Sequence, residues 1–362
     1  VAKHSSNPSV NRAEREADFW IFGGIYRPVF LEAYPKAHFE RIAIDAKADG
    51  SLTAHVFPNM EGVGKVELEL FTLDGQKIGE TFVQGIAADE EKVDVQGKFF
   101  VNPWSAEFPH LYIARFSLYQ GAEKVHEQAE RIGFRTVELR PHDGFYINGE
   151  KIVLKGVNRH SFWPESGRCL SDQDHLLDIR LMKEMNMNAV RSSHYTPDKR
   201  FVELCDSLGL YLLDELTGWQ QGYDTIVGPK LIKELILRDE NNASVIIWNH
   251  GNEGGWTFAN EKWFHEYDFQ KRPILYPWLL RNEVDTRHYP GYQDNVSRFM
   301  RYDNVFMPTE LLHGLYDGGH GAGLDDYWSL YKRSPVLGGG FLWVFCDEAV
   351  WRTDEQRYDS DG

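Results

Sequence analysis

Hydrophobic and polar positions along the chain follow two rhythms. From about Ala37 to Val137 short segments alternate apolar and polar residues between turn residues: RIAIDAKA, SLTAHVFPN, KVELELFTLDG, HLYIARFSLYQG and ERIGFRTVEL. A period of two is that of half-buried antiparallel strands. Leu73-Asp74-Gly75-Gln76 places an Asp-Gly hairpin signal at the end of one of them. Strands at this spacing predict an immunoglobulin-like β-sandwich over residues 37–138, without the Cys…Trp…Cys pattern of a true immunoglobulin domain.

After Pro141 the rhythm changes. GFYINGEKIVLKGVNRH (Gly144 to His160) reads as a hairpin around Asn148-Gly149 leading into a buried strand. SDQDHLLDIRLMKEMN has Ser171 as N-cap, Asp174 three residues on, and Leu176, Ile179 and Met182 spaced for one helical face. NAVRSSHY is a strand, and TPDKRFVELCDSLG a helix with Thr196 as cap, Pro197 at its first position and Gly209 ending it. LYLLDEL, VIIWNHGNE, PILYPW, TRHYP, VFMPTE and GGGFLWVF are further strands, with KLIKELILRDEN and GLDDYWSLYKR as helices between them. Uninterrupted apolar runs suit strands buried on both faces, and alternation with helices predicts a parallel sheet. Counting from VLKGV gives eight strands, the number that closes a (β/α)8 TIM barrel, over residues 139–362. Asp18 to Tyr34 reads as an aromatic strand segment with too little apolar sequence for a core of its own. Residues 1–36 are expected to be the tail of a further domain, and the helix after the eighth strand is expected to be missing.

Composition changes this picture little. Hydrophobic residues make 42% and charged residues 26%, ordinary for a globular protein. Aromatics, at 14%, are abundant enough to suit sugar stacking, but they also fill cores. A net charge of −16 argues against nucleic acid and anionic membranes as partners. No apolar run approaches the roughly 18 residues of a membrane span. Cys169, Cys205 and Cys346 are widely spaced and read as free thiols. No signal-peptide pattern is present, so the compartment, cytoplasmic or periplasmic, stays open, as does a homo-oligomer.

The chemistry is carried by two glutamates. Glu253 ends VIIWNHGNE and Glu310 ends VFMPTE, 57 residues later, each at the exit of a buried strand. In an α/β barrel that end is where chemistry sits. Cleaving a glycosidic bond needs one protonated carboxyl to help the leaving oxygen and one ionised carboxyl, which attacks the anomeric carbon when the two lie roughly 5 Å apart. An inverting enzyme would hold them roughly 6.5–9.5 Å apart. A lone glutamate at a strand end is ordinarily a salt-bridge or capping residue. The pair, the first of them in Asn-Glu, favours catalysis.

The stretches GGIYRPV, NPWSAEFPHLY, IGFRTVE, INGEKIVLKGVNRH, NAVRSSHY, DSLGLYLLDE, IIWNHGNE, PTELLHG and GGFLWVFCDE, in this order and spacing, resemble glycoside hydrolase family 2, and within it the bacterial β-galactosidase branch. The resemblance covers nearly the whole chain. It implies that Glu253 is the acid/base, Glu310 the nucleophile and Asn252 a ligand of the sugar 2-hydroxyl. His160, His194 and His313 align with sugar-contacting histidines, Tyr289 with a tyrosine near the nucleophile, Trp343 with an aromatic beneath the sugar, and Arg191 with an arginine supporting the nucleophile. Read without the family, the histidines suit structural roles, Trp343 suits the core, and Arg191 suits an ion pair with Asp214 or Glu215.

The resemblance also implies an N-terminal jelly-roll sugar-binding domain, of which residues 1–36 would be the remnant. It implies a retaining, exo-acting hydrolase of terminal β-D-galactosides on oligosaccharides. β-Glucuronidase and β-mannosidase are the alternatives within the family, and a non-catalytic carbohydrate-binding barrel the alternative outside catalysis. One departure concerns Mg²⁺. Related β-galactosidases place a Glu and a His after the third-strand Asp-Glu to hold it, and here those positions are Trp219 and Gln221. No magnesium and no other cofactor is therefore expected, and Trp219 is expected to wall a second sugar.

Overall fold

A computed structural model describes residues 3–88, 90–299, 303–314, 322–346 and 348–360. A short helix, α1 (Pro8–Glu14), leads into residues 15–37, which form neither helix nor strand. The expected strand over Asp18 to Tyr34 is thus an unpaired extended segment. Among the described residues no strand pairs with it, and Ile25, Val29, Phe30 and Leu31 are exposed along it.

Seven strands follow: β1 (His38–Ala46), β2 (Ser51–Asn59), β3 (Gly64–Thr72), β4 (Lys77–Ile86), β5 (Val93–Lys98), β6 (Tyr112–Gln120) and β7 (Glu123–Ile132). They form two antiparallel sheets, ordered β1-β2-β5 and β4-β3-β6-β7. The alternation seen in the sequence is the inward face: Leu52, Ala54 and Val56 meet Val66, Leu68, Leu70, Ala114, Phe116 and Leu118 in one core. The Asp-Gly signal sits in the β3–β4 turn. ERIGFRTVEL is split, because Gly133 passes where an added Cβ would lie 2.8 Å from Trp104 Cβ. Its second half is β8 (Val137–Arg140), which pairs with β9 (Gly144–Ile147) and that in turn with β10 (Glu150–Ile152).

The barrel runs β11 (Leu154–Arg159), α2 (Asp172–Glu184), β12 (Ala189–Ser192), α3 (Lys199–Leu208), β13 (Tyr211–Trp219), α4 (Gly228–Asp239), β14 (Val245–Asn252), α5 (Glu261–Tyr267), β15 (Ile274–Leu275), β16 (Leu280–Arg281), β17 (Val284–Asp285), α6 (Tyr292–Phe299), β18 (Val305–Phe306), α7 (Leu324–Tyr331) and β19 (Gly339–Leu342). A hairpin, β20 (Ala349–Arg352) with β21 (Arg357–Ser360), follows. Six parallel strands are ordered β15-β14-β13-β12-β11-β19. β17 pairs with β18 in parallel, and a Phe306–Leu337 bridge joins β18 to the approach of β19. Thr286 closes the ring, its hydroxyl donating to the Tyr276 carbonyl at 2.7 Å. Phe145 and Ile147 pack with Leu154, Leu213, Val305 and Phe341 in one buried cluster.

Two expectations are corrected in detail. The sixth strand is Val284–Asp285, ahead of TRHYP; residues 286–290 are loop, where Tyr289 turns to φ +45°. Asp198, not Thr196, caps α3, its carboxylate accepting from the Arg200 N–H, while the Thr196 hydroxyl donates to the Glu215 carbonyl. Ser171 and Asp174 do form the expected capping box. Sandwich and barrel are joined by buried polar contacts: Arg135 donates to the carbonyls of Asn242 and Val245, and Arg41 forks onto Glu240. Among the described residues no helix is long and apolar enough to cross a membrane.

Gly209 ends α3 at φ +78°, and an added Cβ would lie 2.2 Å from the Ala106 carbonyl oxygen. Gly121 shares a positive φ but has open space around it. Gly209→Ala should cost more than about 1 kcal/mol in chemical denaturation and clearly more than Gly121→Ala. Equal losses would show that the sandwich linker does not press on α3.

Candidate active site

The site is assembled around Arg191. β12 is a four-residue strand with every residue buried, so a charge placed there must find its partners inside. Arg191 forks onto Glu215 of β13, Nε to Oε2 at 2.7 Å and Nη2 to Oε1 at 3.0 Å. Its Nη1 donates to Asn158 Oδ1 of β11 at 3.0 Å and to Glu310 Oε1 at 2.9 Å, and Nη2 donates to Asn252 Oδ1 of β14 at 2.7 Å. It thus pairs with Glu215 and also touches Glu310. Burial pushes the Glu215 carboxyl up, but the charge of Arg191 and the hydrogen bond from His194 outweigh it and hold Glu215 below the usual range. Asp214 lies on the same strand but is not among the hydrogen-bond partners of Arg191.

Glu310 follows β18 and is 3% exposed. Its second oxygen accepts the Tyr289 hydroxyl at 2.7 Å. Burial and the charge of Glu310 drive the Tyr289 phenol far above its ordinary value, so it stays a donor. Glu253 stands just past β14 at φ +46°, an uncommon conformation for a non-glycine residue and one that recurs at functional sites. Its carboxylate is half-buried. Oε1 lies 2.8 Å from His288 Nδ1 and Oε2 3.5 Å from Gln220 Nε2. Burial raises the Glu253 carboxyl, but the bond and charge of His288, with Gln220 and His194, leave it below the usual value. Ligand atoms of Glu253, His288 and Glu310 all lie within 4.8 Å of one another. One oxygen of each glutamate thus faces the other beside the His288 ring.

An aromatic floor adjoins the glutamates. Trp343 stacks on His194 with centroids 4.9 Å apart and 13° between planes, His313 lies 6.3 Å from it, and His160 meets it edge-on at 5.6 Å. His160 is also 3.1 Å from a Glu348 oxygen, and burial drives it well below its ordinary value. Trp219 ends β13 in register with Asn252, on the rim. The geometry thus gathers Glu253, Glu310, Asn252, Arg191, His194, Tyr289, Trp343, His313 and His160, with Trp219 at the edge.

Three further groups belong to this neighbourhood and were not singled out from the sequence. His288 lay inside TRHYP, read as a strand. Gln220 lay between the two positions compared for metal ligands. Asp18 lay in the segment read as the tail of a further domain. Burial raises the Asp18 carboxyl, against the pull of His194 and with the repulsion of Glu310 and Glu253, so the N-terminal segment brings a carboxyl to the pocket. Beside it Phe19 is 5.4 Å from His160.

The residues do not fit the magnesium site of related enzymes. Trp219 and Gln221 offer no carboxylate or imidazole to a hard cation. Glu253, His288 and Glu310 are close enough for a cation by distance alone, yet both Glu310 oxygens already accept hydrogen bonds, one from a guanidinium.

Comparison with known proteins agrees with this architecture. Residues 137–360 match the family described as "Glycosyl hydrolases family 2, TIM barrel domain", and residues 37–135 match "Glycosyl hydrolases family 2". The chain belongs to glycosyl hydrolase family 2. Curated family relatives include a β-galactosidase of Priestia megaterium, 31% identical over 94% of this chain and 37% of that protein. Another is a β-galactosidase of Lactobacillus delbrueckii subsp. bulgaricus, 30% identical over 96% of this chain and 37% of that protein. The chain therefore spans less than two fifths of their length. Among solved structures, a family 2 member from Bacteroides cellulosilyticus superposes with a TM-score of 0.77 at 23% identity, covering 90% of this chain and 48% of that one. A β-glucuronidase of Bacteroides uniformis superposes with a TM-score of 0.77 at 20% identity, covering 99% and 52%. At such identities the likeness is one of fold.

Removing Arg191 leaves Glu215 and Glu310 buried without their guanidinium partner. Arg191→Met should cost about 3–5 kcal/mol of stability, read by denaturant unfolding. A loss under about 1 kcal/mol, within the range of a surface pair, would show that this guanidinium does not hold the site together.

Proposed function

We propose that the protein is a retaining, exo-acting glycoside hydrolase that releases terminal β-D-galactose from oligosaccharides. The observation that carries this is the approach of Glu253 and Glu310 to within 4.8 Å in unlike surroundings. Glu310 meets a permanent cation and a phenol donor, contacts that orient a nucleophile. Glu253 has no guanidinium partner among the described residues and faces the His288 ring instead.

In the first step a Glu310 oxygen bonds to the anomeric carbon, the glycosidic bond breaks, and the Glu253 carboxyl protonates the departing oxygen. In the second, Glu253 takes a proton from water as the water oxygen displaces Glu310. Asn252, with its Oδ1 held by Arg191, turns its amide N–H groups toward the 2-hydroxyl, and Trp343 carries the apolar face of the sugar.

Galactose is favoured by the curated β-galactosidases at about 30% identity. A glucuronidase reading has the solved β-glucuronidases in its favour, but these share only the fold. The carboxyls of Asp18 and Glu348 near the pocket would also repel a uronate.

Hydrolysis of p-nitrophenyl β-galactoside, glucuronide, mannoside and glucoside should be fastest for the galactoside, and preference for the glucuronide would overturn the sugar assignment. Glu253→Gln should lower kcat/KM on unactivated galactosides by about 10²–10⁴-fold. Chelation should leave activity unchanged; a large loss restored by Mg²⁺ would refute a metal-free site.

A further inference from the structure

The hydrogen bonds around His288 place one proton between its ring and Glu253. Thr309 Oγ1 donates its hydrogen to the Thr286 carbonyl at 3.0 Å. With its hydrogen there it accepts from His288 Nε2, 3.0 Å away, which then carries a hydrogen. This tautomer is assigned from the network. Nδ1 is left facing Glu253 Oε1 at 2.8 Å and Glu310 Oε2 at 3.3 Å, and the latter already takes the Tyr289 hydroxyl. A bare nitrogen lone pair cannot sit 2.8 Å from a carboxylate oxygen without a hydrogen between them.

We propose that His288 is a positioning residue that shares one proton with Glu253, so that the acid of the reaction is the Glu253–His288 pair and not a lone carboxyl. The proton rests on Nδ1 beside an ionised Glu253, or on Glu253 beside a neutral ring. In the glycosylation step it ends on the departing alkoxide, leaving the ring neutral and Glu253 ionised. In the deglycosylation step the proton of the attacking water returns to the pair. No other reactant is needed. The claim rests on the hydrolase reading and adds to it a second group that sets when the acid is loaded.

The device answers an electrostatic problem. Glu253 faces a second carboxylate, Glu310, with Asp18 also in electrostatic reach. Arg191 and His194 lie on the Glu310 side. Gln220 gives Glu253 only a long neutral contact at 3.5 Å. Of the groups facing His288, Thr309 and Tyr289 are neutral, and Glu253 and Glu310 are the charged ones. His288 is thus the closest cation carrier to Glu253, held by Thr309 and 5% exposed. Two interacting titrating groups lose their protons as a pair.

The test is the pH profile of kcat/KM in wild type and His288→Gln, on an unactivated galactoside and on a dinitrophenyl galactoside whose departure needs no proton. In His288→Gln the basic limb reports Glu253 alone and should move down by about 1–3 pH units. Activity at neutral pH should fall about 10-fold or more on the unactivated substrate and little on the activated one. Should His288→Gln fold poorly, Thr309→Val, which removes the acceptor fixing Nε2, should shift the limb in the same direction, and Thr309→Ser should restore it. An unmoved basic limb, or equal losses on both substrates, would overturn the shared proton while leaving the hydrolase reading intact. A wild type that hydrolyses no glycoside would overturn both, and is distinguished by its lack of turnover.

Discussion

One buried guanidinium organises the centre of this molecule. Arg191 is fully enclosed and reaches five side chains drawn from three neighbouring strands and two loops: Asn158, Glu215, Asn252, His194 and Glu310. Burying a charge is expensive, and a buried pair adds little stability over apolar packing. Its return is geometric. Glu215 neutralises Arg191, and the remaining donors then set the distance and orientation of Glu310 and of the Asn252 amide. Arg191 must be arginine for this, since a lysine ammonium has no planar fork to bridge two carboxylates and two amides.

The rest of the fold supplies rigidity to that point. The sandwich is tied to the barrel by Arg135, which caps the carbonyls at the start of β14, and by Trp104, whose indole N–H donates to the Asp206 carbonyl. β14 is buried along its whole length and ends by presenting Asn252 and then Glu253. On the opposite arc Thr309 is pinned from both sides, its hydroxyl to Thr286 and its carbonyl to Asn158, so Glu310 emerges from an anchored turn. The N-terminal segment, though it forms no strand, seats Phe19 against His160, His194 and Tyr195 and so forms part of the pocket wall.

What the sequence made legible follows from how local each signal is. The sandwich strands alternate because one face meets a single core, and the barrel strands read as apolar runs because both faces are covered. Glu253 and Glu310 could be found because each closes such a run. His288 could not. It lies on a loop after a two-residue strand, where there is no periodicity to mark it, and its contacts with Glu253 and Thr309 span 35 and 21 residues. The Thr196 assignment failed for a related reason: Thr and Asp both cap helices, and only the backbone path decides which one is in place. Asp18 was hidden because its segment owes its conformation to the barrel it lies on rather than to its own pattern.

We propose that Glu310, held by Arg191, forms a covalent bond to the sugar while Glu253 manages the proton. Incubation with a 2-deoxy-2-fluoro β-galactoside carrying an activated leaving group, followed by peptide mass spectrometry, tests it most directly. The account predicts a stoichiometric adduct on Glu310 and a product of retained anomeric configuration. An adduct on Glu253, or turnover with inverted configuration and no adduct, would contradict it.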